Sequence, residues 1–137
     1  MAEASLAAAR LAVVTMRARP ALTALVPALN IIDKNQRPEV FPCVVVGEAQ
    51  AVADDADCIV GDEVFLTLHV WTEEDGLLAV KNIVGEMRRA FRGVEGLQDG
   101  FEVSFDWRDV VFLRDPDGEH SHAVVTVRAL TEDTVGI

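Results

Sequence analysis

The chain has 137 residues, half of them apolar, which is the usual size of one domain and enough to bury a core. Twelve basic residues stand against 23 acidic ones, a formal charge of -11 that repels phosphate and anionic lipid. Ordinary nucleic-acid binding and membrane attachment are therefore disfavoured, and protein partners are expected. Cys43 and Cys58 form no C-x-x-C pair and have no histidine at ligand spacing, so both are read as reduced thiols. The start Met1-Ala2-Glu3 carries no basic stretch followed by an apolar run, and no later run reaches the length of a membrane span. Synthesis in the cytoplasm is the expectation.

From Glu3 to Ala18 the chain is alanine-rich, and Ala7, Leu11, Val14 and Ala18 recur at helical spacing with Arg10, Arg17 and Arg19 on other faces. This predicts an amphipathic helix ended near Pro20. Pro27 and Pro38 punctuate Ala28 to Val40, which reads as irregular. Phe41 to Gly47 is a short β-branched run bounded by proline and glycine, a strand. Glu48 to Gly61 then holds Asp54, Asp55 and Asp57 among small residues, and its polarity predicts a mobile acidic loop. From Asp62 to Trp71, Val64, Leu66, Leu68 and Val70 alternate with Phe65, Thr67, His69 and Trp71, the pattern of a central strand.

Thr72-Glu73-Glu74-Asp75 resembles a capping box, so a helix is expected at once. Leu77, Val80, Val84, Met87 and Phe91 make its apolar stripe, Arg88, Arg89 and Arg92 place cations near its end, and Gly93 stops it. Gly93, Gly96 and Gly100 read as turn glycines. The last third reads as a hairpin through Asp115-Pro116-Asp117-Gly118, with a three-residue loop that sets Asp115 opposite Glu119. That register puts Leu113 opposite Ser121, Val111 opposite Ala123, Trp107 opposite Val127 and Phe105 opposite Ala129, and it pairs Asp106 with Arg128. The resulting class is α+β: one domain over 1–137, with an antiparallel or mixed sheet of about four strands, a C-terminal hairpin and two main helices.

No glycine-rich phosphate loop, nucleophile elbow, H-E-x-x-H or zinc-type cysteine spacing is present, so no catalytic residue, cofactor site or metal site is assigned. His120 and His122 lie two apart on one strand with His69 on another, which would suit a metal only if those strands were neighbours. Asp54, Asp55 and Asp57 lack the calcium-loop spacing and read as solvated. Arg88, Arg89 and Arg92 complement the helix dipole and are also candidates to meet an acidic neighbour, while Trp71 and Trp107 read as core or interface anchors.

The order of these features carries a resemblance. A leading helix comes first, then Pro38-Glu39-Val40-Phe41-Pro42 entering a strand that ends at Gly47. His69-Val70-Trp71-Thr72 with Gly76 and an amphipathic helix follows, then Leu97 before a hairpin with His122. This resembles the tail completion, or tail terminator, family of long-tailed phages, with related copies in phage-derived gene transfer agents. The resemblance implies a structural, non-enzymatic α+β subunit that forms a ring, usually of six. The ring caps the tail tube, ends its growth and joins it to a head-side neck or stopper protein, and DNA passes through without specific binding.

It further implies assembly in the host cytoplasm, residence in the particle's tail, and a divalent cation as an aid to ring assembly that makes Asp54 to Asp57 worth testing. Subunit-interface candidates are Arg88, Arg89, Arg92, Asp54, Asp55, Asp57 and Trp71. A small dimeric α+β module that binds a ligand also fits the layout and is the alternative.

Overall fold

A computed structural model describes residues 3–33, 40–74 and 76–135. Among these residues six strands, β1 (Ile31–Ile32), β2 (Cys43–Ala53), β3 (Gly61–Thr72), β4 (Glu95–Gln98), β5 (Phe101–Arg114) and β6 (Ser121–Asp133), form one mixed sheet in the order β1-β2-β3-β6-β5-β4, with the helices on one face. The α+β class is as expected from the sequence, but there are two more strands and one more short helix.

Helix α1 (Ala4–Arg17) starts where the Glu3 carboxylate accepts hydrogen bonds from the backbone N–H of Ser5 and Leu6, satisfying two of the free donors of its first turn. Its buried stripe is Ala4, Ala7, Ala8, Leu11, Ala12 and Met16, not the set that includes Val14, which is 55% exposed. Small side chains along this stripe let the helix lie close to the sheet. α2 (Pro20–Thr23) begins on Pro20, whose fixed φ suits a first helical turn. A 3-10 turn at Ala28–Asn30 then leads to β1 (Ile31–Ile32), which pairs parallel with β2. Arg17 holds this connection by donating to the carbonyls of Ala28 at 3.0 Å and Ile31 at 2.7 Å. The expected irregular stretch from Ala28 to Val40 is thus partly ordered, and its residues 34–39 lie outside the described ones.

β2 (Cys43–Ala53) runs well past Gly47, and its second half occupies the stretch expected to be an acidic loop. It pairs antiparallel with β3 (Gly61–Thr72), with a register shift between Val46 and Ala49. Beyond that bulge every β2 residue is exposed, because the strand has passed the edge of the helical layer. Only the turn from Asp54 to Val60 remains loop, closed by a short bridge between Ala56 and Ile59. β3 buries Val64, Leu66, Leu68 and Val70 as its alternation predicts.

Thr72 ends β3 and is buried, so it caps nothing. α3 (Leu78–Phe91) starts one turn later, after Leu77, with no side-chain cap. Asp75 of the expected capping box lies outside the described residues. The strand-to-helix connection is held by the Ser121 hydroxyl, which donates to the Glu74 carbonyl at 2.7 Å with the Gly76 carbonyl at 2.8 Å as its alternative acceptor. α3 buries Val80, Ile83, Val84, Met87 and Phe91 and ends at Gly93, whose φ of 67° no β-carbon favours.

β4 (Glu95–Gln98) is a strand where only turn glycines were expected, and Gly96 within it makes room for Leu11, whose methyls would lie 3.4 Å from an added β-carbon. β5 (Phe101–Arg114) and β6 (Ser121–Asp133) form the closing hairpin. Its lower half keeps the expected register: Phe105 faces Ala129, Asp106 faces Arg128 and Trp107 faces Val127.

Above a bulge at Arg108 the pairing moves by one residue, so Phe112 faces Ala123 and Val111 faces Val124. The reason lies in the turn. Asp117 accepts from the backbone N–H of both Glu119 and His120, which draws one more residue into the loop and sets Asp115 against His120. Val110 and Phe112 therefore pack on the core, and Val111 and Leu113 point outward at 52% and 44% exposure.

Candidate functional site

Three constellations lie outside the core. The first crosses the outer face of the sheet, where β3 and β6 are neighbours and His69 meets His122. The His69 Nδ1 and His122 Nε2 are 2.9 Å apart, and His69 Nε2 lies 2.7 Å from a Glu48 carboxylate oxygen. An ionised carboxylate only accepts, so His69 donates to Glu48 from Nε2, and one of the two imidazoles donates to the other across the His69 Nδ1–His122 Nε2 contact. Trp71 stacks on the His122 ring at 3.8 Å and 7°. Burial, then the adjacent His69, pushes the His122 imidazole down to about 4, while its hydrogen bond to His69 holds the Glu48 carboxyl low.

His120 does not join this group. It sits before β6, packed at a tilt against Phe41 and paired with Asp117, and that hydrogen bond, opposed by partial burial, raises it. Asp115, Asp117 and His120 bring one ligand atom each within 4.8 Å of one another, a grouping the sequence reading did not single out. Asp54, Asp55 and Asp57 are not gathered in that way among the described residues.

The second constellation is an acidic end of the sheet. The β2–β3 turn, the β4–β5 turn and the end of β6 bring together Asp54, Asp55, Asp57, Asp62, Glu95, Glu102 and Glu132. A groove across these strand ends is lined by Asp54, Glu95, Glu102 and Glu132, with Ile59 and Leu97 between them. Burial and the nearby carboxylates of Asp55 and Glu3 push the Asp62 carboxyl up. The cations nearby are engaged elsewhere: Arg10 with Asp99 at 3.0 Å, and Arg128 with Glu63 and Asp106. Asp55 also accepts from the Gly61 N–H at 3.0 Å, which fixes the turn. Cys58 is exposed at the tip of this turn, whereas Cys43 is buried in β2 and its thiol is pushed up to about 11 by desolvation.

The third is the cationic end of α3. Arg89 pairs with Glu86 at 3.3 Å, and Glu86 also takes Arg19 at 2.9 Å. Arg88 and Arg92 are exposed and line a small hollow with Asp106 and Trp107, beside the point where the Phe105 N–H bonds the Val94 carbonyl. Arg88 and Arg92 thus lie beside β5, Arg89 lies toward Arg19 and α1, and the candidate aspartates lie in the β2–β3 turn. The two groups do not meet within one chain.

The three histidines are engaged with one another or with carboxylates, and the Ser5 hydroxyl is held by the Glu3 carboxylate at the start of α1. The family model described as tail completion protein gp17 matches residues 13–132, which takes in every strand and α3. The chain belongs to the tail completion protein family.

Among solved structures, a chain of the virion of a native gene transfer agent particle superposes with a TM-score of 0.84 at 16% identity, covering 96% of this chain and 99% of that one. The likeness establishes a shared fold over nearly the full length of both chains. A search of curated protein sequences gives no match. The family membership agrees with the resemblance carried by the His69-Val70-Trp71-Thr72 passage and its neighbours.

Proposed function

We propose that this tail completion protein is a structural subunit of a phage-type particle. It forms a ring, of six copies, that caps the tail tube, ends its growth and joins it to a head-side neck or stopper protein. The observation that carries this reading is the family match over 13–132, which spans the whole sheet rather than one motif. The fold shared with a chain of a gene transfer agent virion supports it, and so does the separation of charge across the sheet.

Arg88, Arg89 and Arg92 at one side, and Asp54, Asp55 and Asp57 at the other, suit contacts between like subunits around a ring. Trp71, half-buried on the outer face, is a further contact residue. The charge of -11 suits a passage that lets DNA through without holding it, and a divalent cation at the Asp54–Asp57 turn would ease the crowding of carboxylates on assembly. The subunit assembles in the host cytoplasm and remains in the particle's tail.

Electron microscopy of the purified protein mixed with its tail-tube partner tests the reading. A cap at one end of each tube is expected. Decoration along the tube wall, or tubes with bare ends, would contradict it.

A further inference from the structure

The sheet ends in two stepped edges. On one side, β1 pairs only with Val44 and Val45 of β2, so among the described residues Glu48 to Ala53 have no partner strand on their outer edge. On the other side, β4 pairs with residues 101–104 of β5 and Val94 reaches Phe105, so among the described residues the edge of β5 from Asp106 to Arg114 has no partner strand. The free part of β2 lies toward the acidic end, and the free part of β5 toward the hairpin turn. The β2 segment, Glu-Ala-Gln-Ala-Val-Ala, has no lysine or proline and a single charge, so it lacks the usual protection of an exposed edge.

Resting on the ring reading above, we propose that the subunit interface is antiparallel strand addition between copies of this chain: Glu48–Ala53 of one copy pairs with about Arg108–Leu113 of the next. Three observations select this occupant. The first is direction. Antiparallel pairing leads β2 down from Glu48 to Ala53 as β5 leads down from Leu113 to Arg108, so the Asp54–Asp57 turn arrives where Arg88 and Arg92 of the neighbour flank Asp106.

The second is face parity. Gln50 and Val52 lie on the outer face with Phe65 and Glu63, and Asp109 and Val111 lie on the outer face with Thr126 and Val124. Setting Gln50 opposite Val111 therefore joins outer face to outer face and places Ala49 opposite Phe112 and Ala51 opposite Val110 on the inner one. The third is apolar cover, because Val52 at 42% exposure and the exposed Val111 become diagonal neighbours. The contact is head to tail, so it propagates until a ring closes, and the half-strand offset is the stagger that a closed sheet of tilted strands requires.

The test uses the full chain assembled with its tail-tube partner. In a Cys58→Ser background, Gln50→Cys with Val111→Cys should give, on oxidation, a covalent ladder up to the closed ring. Either cysteine alone should stay monomeric on a denaturing gel. Asp57→Arg alone and Arg92→Glu alone should each weaken assembly about tenfold, and together they should restore it.

A ring that forms without the ladder overturns this inference and leaves the ring reading standing. Self-cross-linking of either single-cysteine variant overturns it too, since that reports a two-fold contact. A wild-type chain that neither oligomerises nor caps tubes removes both.

Discussion

The two central strands and the two long strands that flank them have nearly the same length and very different surroundings. β3 and β6 alternate buried and half-buried residues from end to end, under α1 and α3 on one face. β2 buries four residues and then exposes seven, and β5 buries alternate residues only from Phe101 to Phe105. The inner pair serves the core. The outer pair is longer than the core needs, and the surplus forms free edges that carry the candidate contacts. What a fold builds beyond the reach of its own helices is available for a second copy.

The largest expected effect comes from the inner pair. Leu68→Ala removes a fully buried side chain between strands and helices and should cost about 2–5 kcal/mol in denaturant unfolding. Gly47→Ala tests the bulge where β2 leaves the core: an added β-carbon would sit 2.7 Å from His69 Cδ2 and 2.9 Å from its Nε2. A loss of about 1–3 kcal/mol is expected, with release of the Glu48–His69 contact seen as altered His69 ring shifts by NMR. Thr72→Val should be neutral or stabilising by about 1 kcal/mol, because the Thr72 hydroxyl is buried without a partner among the described residues.

His122 gives the comparison a pH axis. Its imidazole is held below its unfolded value of 6.5, so the unfolded chain binds more protons between pH 6.5 and about 4. The stability this group contributes is present above that window and falls as pH drops through it. The raised His120 works in the opposite sense, its contribution lost as pH rises through its folded value, but its pairing is exposed and screened. His122→Gln should flatten the slope of stability against pH between 6.5 and 4 in urea titrations. The smallest effect is expected at the outer pair: Val52→Ser should change monomer stability by no more than about 0.5 kcal/mol while weakening the proposed ring.

Legibility in the sequence followed the same division. The β3 alternation, the α3 stripe and the lower hairpin were readable because one face of each is buried, and burial writes its period into the residues. Glu48 to Ala53 read as a loop because no face of it is buried, so nothing required an apolar alternation there. Val111 and Leu113 read as inward-facing because residue types alone do not show that Asp117 gathers two backbone amides. Val14 misled in the opposite way, as an apolar residue on a face that the small alanines left unused.

At the candidate site, the histidine pair was half visible. His69 and His122 were noted, but their meeting depended on β3 lying beside β6, a matter of topology and not of spacing. The arginines and aspartates stand out in the sequence by charge alone, and their separate placement on α3 and in the β2–β3 turn depends on the tertiary fold.

Cys58 has a consequence for following assembly. With Cys43 buried and its thiol pushed up to about 11, a thiol-directed dye enters the native chain at Cys58 alone. The natural protein thus carries one reporter on the acidic turn, and the loss of its reactivity on mixing with partners would time the covering of that turn without any substitution.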